Sequence, residues 1–143
     1  MNFQGVVMNV ADLDRSIAFY RDALGFSLAS GGDQLAAMRA PDNDHPQVIV
    51  LRAFGTSPLG GARHIGLRAF LLEVKTDDHV NKVAAGFEAR ACLVGRRDHE
   101  EWTAVVGHDP DGVTLVVTCI SGPGRTDENS WRSLDDFLYS IGE

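Results

Sequence analysis

The feature that most restricts the fold of this 143-residue chain is an internal duplication. Residues 5–10, Gly-Val-Val-Met-Asn-Val, read as a strand with Val6, Met8 and Val10 on one apolar face, because successive side chains on a strand point to opposite sides. Asp12 follows as a helix N-cap, and Leu13, Ile17, Tyr20 and Leu24 recur at helical spacing until Gly25 closes the run. Residues 69–74, Ala-Phe-Leu-Leu-Glu-Val, repeat the strand with Phe70, Leu72 and Val74 as its apolar face. Thr76 or Asp77 caps a second helix, whose stripe is Val80, Val83, Ala84 and Phe87. Val74 lies 64 residues after Val10, so two modules of that length fill most of the chain.

After each helix the pattern turns to antiparallel strands. Leu35 to Arg39 and Val48 to Ala53 flank the polar turn at 41–46. In the second half, Ala91 to Val94, Trp102 to Gly107 and Val113 to Cys119 do the same work, with Asp109-Pro110-Asp111-Gly112 as a tight turn. The expectation is a single α+β domain of tandem βαβββ modules. Module one covers about 3–54, a linker 55–63 and module two about 64–120. Residues 121–143 form an extension in which Trp131, Leu134, Phe137, Leu138 and Ile141 suggest an amphipathic helix. That helix must bury its stripe as a lid, on its own sheet or in a dimer contact.

Composition excludes several classes of function. The net charge is −7 and the acids are scattered, with only Arg96-Arg97 as a tight basic pair, which argues against nucleic acid. No long apolar run and no basic leader occur, so the expectation is a cytoplasmic protein with no membrane partner. Cys92 and Cys119 have neither zinc-knuckle spacing nor the density of a disulfide scaffold, and are expected to be reduced and buried.

The run Val10-Ala11-Asp12-Leu13-Asp14-Arg15-Ser16-Ile17-Ala18-Phe19-Tyr20-Arg21-Asp22-Ala23-Leu24-Gly25-Phe26, together with the later Asp109-Pro110-Asp111-Gly112, resembles the vicinal oxygen chelate superfamily, the glyoxalase, bleomycin-resistance and extradiol-dioxygenase group. The resemblance implies sheets curled around a cleft, commonly completed by homodimerisation. It also implies three metal positions: seven residues before the first helix cap, the matching site of the second module, and four residues after the Asp-Pro-Asp-Gly turn. Here those positions hold Gly5, Ala69 and Val116, none of which ligates a metal through a side chain. The chain therefore resembles metal-free members, and no cofactor is expected. A displaced site from His64, His99 and Glu101 is the metal-bearing alternative. His45 and His79 read as surface residues, and His108 as a turn-stabilising one.

Strand alternation places Val7 and Asn9 toward the cleft, opposite Val6, Met8 and Val10. The same parity places Leu71 and Glu73, then Thr114, Val116 and Thr118, and on the matching strand of module one Val50 and Arg52. This mostly apolar lining suits a small organic ligand. Glu73 is the candidate acid or base, if desolvation raises its pKa, and a salt bridge with Arg52 or simple solvation is the alternative. Trp102 either stacks on a planar ligand or fills the core. Arg52 offers a planar fork for a carboxylate or phenolate.

The first reading is metal-independent binding of a hydrophobic small molecule, aromatic or cationic, with sequestration and antibiotic self-resistance as the role. The second is an enzyme, either a metal-free isomerase, cyclase or lyase using Glu73, or a metal-dependent dioxygenase or glyoxalase with displaced ligands. The third is a regulatory module with a vestigial cleft.

Overall fold

The structure is a computed structural model, and it describes residues 5–41, 48–53, 69–120, 133 and 136–141. It divides into two compact units, Met1–Leu59 and Gly60–Glu143. The first unit runs β1 (Gly5–Val10), α1 (Leu13–Leu24), β2 (Ser27–Gly31), β3 (Leu35–Arg39) and β4 (Val48–Ala53). Its sheet has the order β1-β4-β3-β2, with β1 parallel to β4 and the other pairs antiparallel. The second unit repeats this with β5 (Phe70–Glu73), α2 (Asp77–Ala89), β6 (Leu93–Asp98), β7 (Trp102–His108) and β8 (Thr114–Ile120), in the order β5-β8-β7-β6. The duplicated βαβββ pattern is thus two mixed four-stranded sheets of identical connectivity, an α+β fold.

Local chemistry sets the ends of α1. The Asp12 carboxylate accepts the Arg15 N–H at 2.9 Å, satisfying a donor that the first turn leaves free. Gly25 adopts φ 76° and donates its N–H to the Arg21 carbonyl at 3.0 Å, while the Phe26 N–H reaches the Tyr20 carbonyl, a left-handed stop that glycine makes cheaply. The buried stripe is Leu13, Ser16, Phe19, Tyr20, Ala23 and Leu24. Ile17, expected in that stripe, is only half-buried. Ser16, the position before it, is fully buried in the stripe. Tyr20 meets Phe19 and Phe26 edge to face and donates its hydroxyl to the Met8 sulfur at 3.8 Å.

In the second unit Thr76, not Asp77, caps α2, its hydroxyl accepting the His79 N–H at 3.2 Å. Val80, Val83 and Phe87 pack toward β7 and β8. Gly107 sits under the Phe87 ring, where an added Cβ would fall 2.5 Å from a ring carbon. Asp109 holds the β7–β8 turn, its Oδ1 accepting the Asp111 and Val113 N–H groups at 2.9 and 2.8 Å.

Several expectations need correction. β2 was not foreseen as a strand, and β6 begins at Leu93 and runs to Asp98, further than Ala91 to Val94. Cys92 and Cys119 are free but half-buried, and burial raises both thiol pKa values. Trp131 and Leu134 lie outside the described residues. Residues 136–140 are helical. Phe137 and Leu138 are buried with Trp102, Ala104, Val106 and Val116, and Ile141 packs against the same cluster. Among lid, own-sheet packing and dimer contact, the described C-terminal residues take own-sheet packing.

Candidate functional site

Each sheet has one face against its helix and one turned away, and the second faces differ. In the first unit, Met8, Val10, Ala36, Met38, Ile49 and Leu51 are buried on the helix side. Alternation leaves Val7, Asn9, Val50 and Arg52 on the other side, and the register joins them: Val7 stands opposite Val50, and Asn9 opposite Arg52. These four candidate residues therefore share one surface.

The third strand completes it. Ala37 pairs with Val50, Leu35 with Arg52 and Arg39 with Val48. The surface is thus a small lattice whose central row, Ala37, Val50 and Val7, is apolar, with Arg39 in the row on one side and Arg52 in the row on the other. Val7 is 66% exposed and Leu35 47%. Sequence reasoning left Leu35, Ala37 and Arg39 unassigned, although the buried Ala36 and Met38 between them carry the signal. Arg39 and Arg52 are exposed and form no ion pair with any described residue.

The matching face of the second unit is largely covered. Trp102 is 3% exposed and Val116 fully buried, both against Phe137 and Leu138. Gly95 leaves the space that Ile141 fills, since an added Cβ would lie 3.2 Å from its methyl carbon. Arg97 places its guanidinium 4.8 Å from the Phe137 ring centre, a cation–π contact. The Trp102 ring lies flat against His99 at 5.1 Å, and its Nε1 is buried without a partner among the described residues. Thr114 and Thr118 are buried, the latter donating its hydroxyl to the Leu72 carbonyl at 3.4 Å. Leu71 and Glu73, on edge strand β5, stay exposed, so Glu73 lacks the burial that the acid–base reading asks for.

The metal positions implied by the resemblance do not fit a metal. A side chain on Gly5 would run into the Val48 carbonyl oxygen of the neighbouring strand. Val116 lies beneath Phe137 and Leu138, where a carboxylate would be desolvated without a partner. His64 and His45 lie outside the described residues, and His99 stacks on Trp102 while its Nδ1 accepts the Glu101 N–H at 3.2 Å. Among the described residues no group of three His, Cys, Asp or Glu side chains is placed to hold a metal ion. No described helix is long and apolar enough to cross a membrane.

Comparison with known proteins agrees with this topology. A profile described as Glyoxalase/Bleomycin resistance protein/Dioxygenase superfamily matches residues 3–117. A glyoxylase/bleomycin resistance protein/dioxygenase domain from Frankia sp. EAN1pec superposes with a TM-score of 0.70 at 16% identity, covering 87% of this chain and 95% of that one. A lactoylglutathione lyase from Agrobacterium tumefaciens gives 0.60 at 21% identity, covering 82% and 92%. A genomically encoded fosfomycin resistance protein from Listeria monocytogenes gives 0.64 at 10% identity, covering 83% and 93%. A search of curated proteins gives no significant match.

Proposed function

The chain belongs to the glyoxalase/bleomycin resistance protein/dioxygenase superfamily, and from that premise we propose that it binds a hydrophobic small molecule without a metal, on the open face of its first sheet. The observation that carries this reading is the apolar row of Val7, Val50 and Ala37, in which Val7 is exposed and Val50 and Ala37 are half-buried, with the exposed Leu35 beside it. Exposed contiguous apolar surface is uncommon on soluble proteins and marks binding sites. The steric block at Gly5 supports the metal-independent form of the reading. Sequestration is the role such binding serves, in line with the resistance protein among the similar structures. Assembly as a homodimer in the cytoplasm belongs to the same proposal, and sedimentation tests the dimer.

The experiment is a titration of ¹⁵N-labelled protein with 1-naphthol, a neutral aromatic probe. Saturable shifts in the amides of β1, β3 and β4, lost in Val7→Asp, are the expected result. Shifts confined to other segments would overturn the placement. Turnover of substrates of the glyoxalase or dioxygenase type, tied to stoichiometric bound metal, would overturn the metal-independent reading.

A further inference from the structure

From the charge pattern of that open face we infer that its ligand is an organic anion: an apolar body carrying a carboxylate, sulfonate or phosphonate head. This rests on the binding reading above and specifies its ligand class.

Nine strand positions make up the surface on β1, β4 and β3, and they include two arginines and no acid. Arg39 and Arg52 flank the apolar row from opposite sides, each two residues along the strand from it, roughly 6.7 Å. A long side chain spans that gap, so both guanidinium groups can reach a ligand lying over Val50. Asn9, opposite Arg52, adds an amide donor. On the edge strand, Ser27 pairs with Arg39 and adds a hydroxyl. The acids that flank these strands in sequence lie outside the lattice: Asp33 in the β2–β3 connection, Asp12 at the N-cap of α1, and Asp42 and Asp44, which fall outside the described residues.

The net charge of −7 points toward a cation, but charge acts locally. Exposed charges beyond about 8 Å are largely screened at physiological salt, whereas two guanidinium groups at the rim of the apolar row act at contact distance. Arginine presents donors in a planar fork that matches a carboxylate or phosphonate edge. Within the described residues, neither Arg39 nor Arg52 has a carboxylate partner to displace. An arginine without a carboxylate partner beside an apolar row selects a ligand that is apolar and negatively charged.

The test compares three probes of one shape, 1-naphthoate, 1-naphthol and 1-naphthylmethylammonium, by the same amide titration at low salt. The expected order is naphthoate tightest, by about fivefold or more over naphthol, and the ammonium weakest. Raising salt to about 0.5 M should erase most of that preference. Arg39→Leu with Arg52→Leu should bring the three affinities together while naphthol still binds, which also reports that the variant is folded. Equal affinities in the unaltered protein, or tightest binding of the ammonium, with shifts still on β1, β3 and β4, would overturn the anion assignment and leave the binding reading standing. No shift on those strands with any probe would overturn both.

Discussion

Replacing Phe137 by Ala tests whether the C-terminal helix is part of the core of its unit. Phe137 is 3% exposed and sits against Trp102 at 6.2 Å between ring centres, with the Arg97 guanidinium over its ring. A buried Phe→Ala change costs about 3–5 kcal/mol through lost transfer and cavity terms, and the exposed cation–π contact adds about 0.5 kcal/mol. A terminal segment has an escape, because it can undock while the sheet stays folded, and its docking free energy then caps the loss. The expected cost is therefore near the lower bound, about 3 kcal/mol, or roughly 10 °C in Tm at 3–4 °C per kcal/mol. Urea and thermal melts in a Trp131→Phe background make Trp102 the reporter, and its emission should shift to the red as the ring meets water. Tyr139→Ala is the control in the same helix, for Tyr139 is 81% exposed and its loss should stay within about 0.5 kcal/mol. Equal stabilities for the two variants, with unchanged Trp102 emission, would refute the packing argument.

Gly5→Ala should destabilise β1 pairing by about 1–3 kcal/mol, as overpacking does, because the new methyl meets the Val48 carbonyl oxygen; hydrogen exchange of β1 and β4 amides reads this, and unchanged protection would refute it. Ala91 holds φ 53°, a left-handed conformation that costs a non-glycine residue roughly 1–2 kcal/mol. Ala91→Gly should therefore raise the urea midpoint slightly, net of glycine's greater entropy loss, and a lower midpoint would contradict the strain. Burial holds the Cys92 and Cys119 thiols above their ordinary value of 9.0. The unfolded chain then loses those protons first, so stability is level below that value and falls as pH rises through it. The Cys92→Ala, Cys119→Ala variant should lose less stability than the parent between about pH 8 and 10, and parallel declines in urea midpoint would exclude the thiols as the cause.

What was readable from the sequence follows from how local its cause is. The caps at Asp12, Gly25 and Thr76 act within five residues of where they stand, so a short window contains them. The side of Val7, Asn9, Val50 and Arg52 follows from parity, which needs only the period of two. β2 escaped because Ser27–Gly31 has no buried position to create alternation, and a register shift between Leu28 and Ser30 breaks the period. The apolar spacing of Phe137, Leu138 and Ile141 was plain, but its destination depended on Gly95, Trp102 and Val116, far along the chain. Parity put Val116 on the face turned from the helix, left Trp102 between ligand stacking and the core, and had no means of saying what covers that face.

The two units share a connectivity and differ in the chemistry of the face turned from the helix, and that difference decides which one a helix of the same chain can cover. Trp102, Ala104, Val106 and Val116 form an unbroken apolar surface, and Gly95 opens a slot for Ile141. Among the described residues, Arg97 lies exposed at the rim with its guanidinium over Phe137, and so keeps its hydration. A helix laid over the first sheet would meet a different cost. Arg39 and Arg52 flank the apolar row on both sides, so covering Val7, Val50 and Ala37 would desolvate two guanidinium groups with no carboxylate supplied. A small ligand that brings its own negative charge offsets that cost and leaves part of the hydration in place. Strand alternation thus writes the folding requirement on one side of each sheet and leaves the other side free, for packing in the second unit and, in the proposed reading, for recognition in the first.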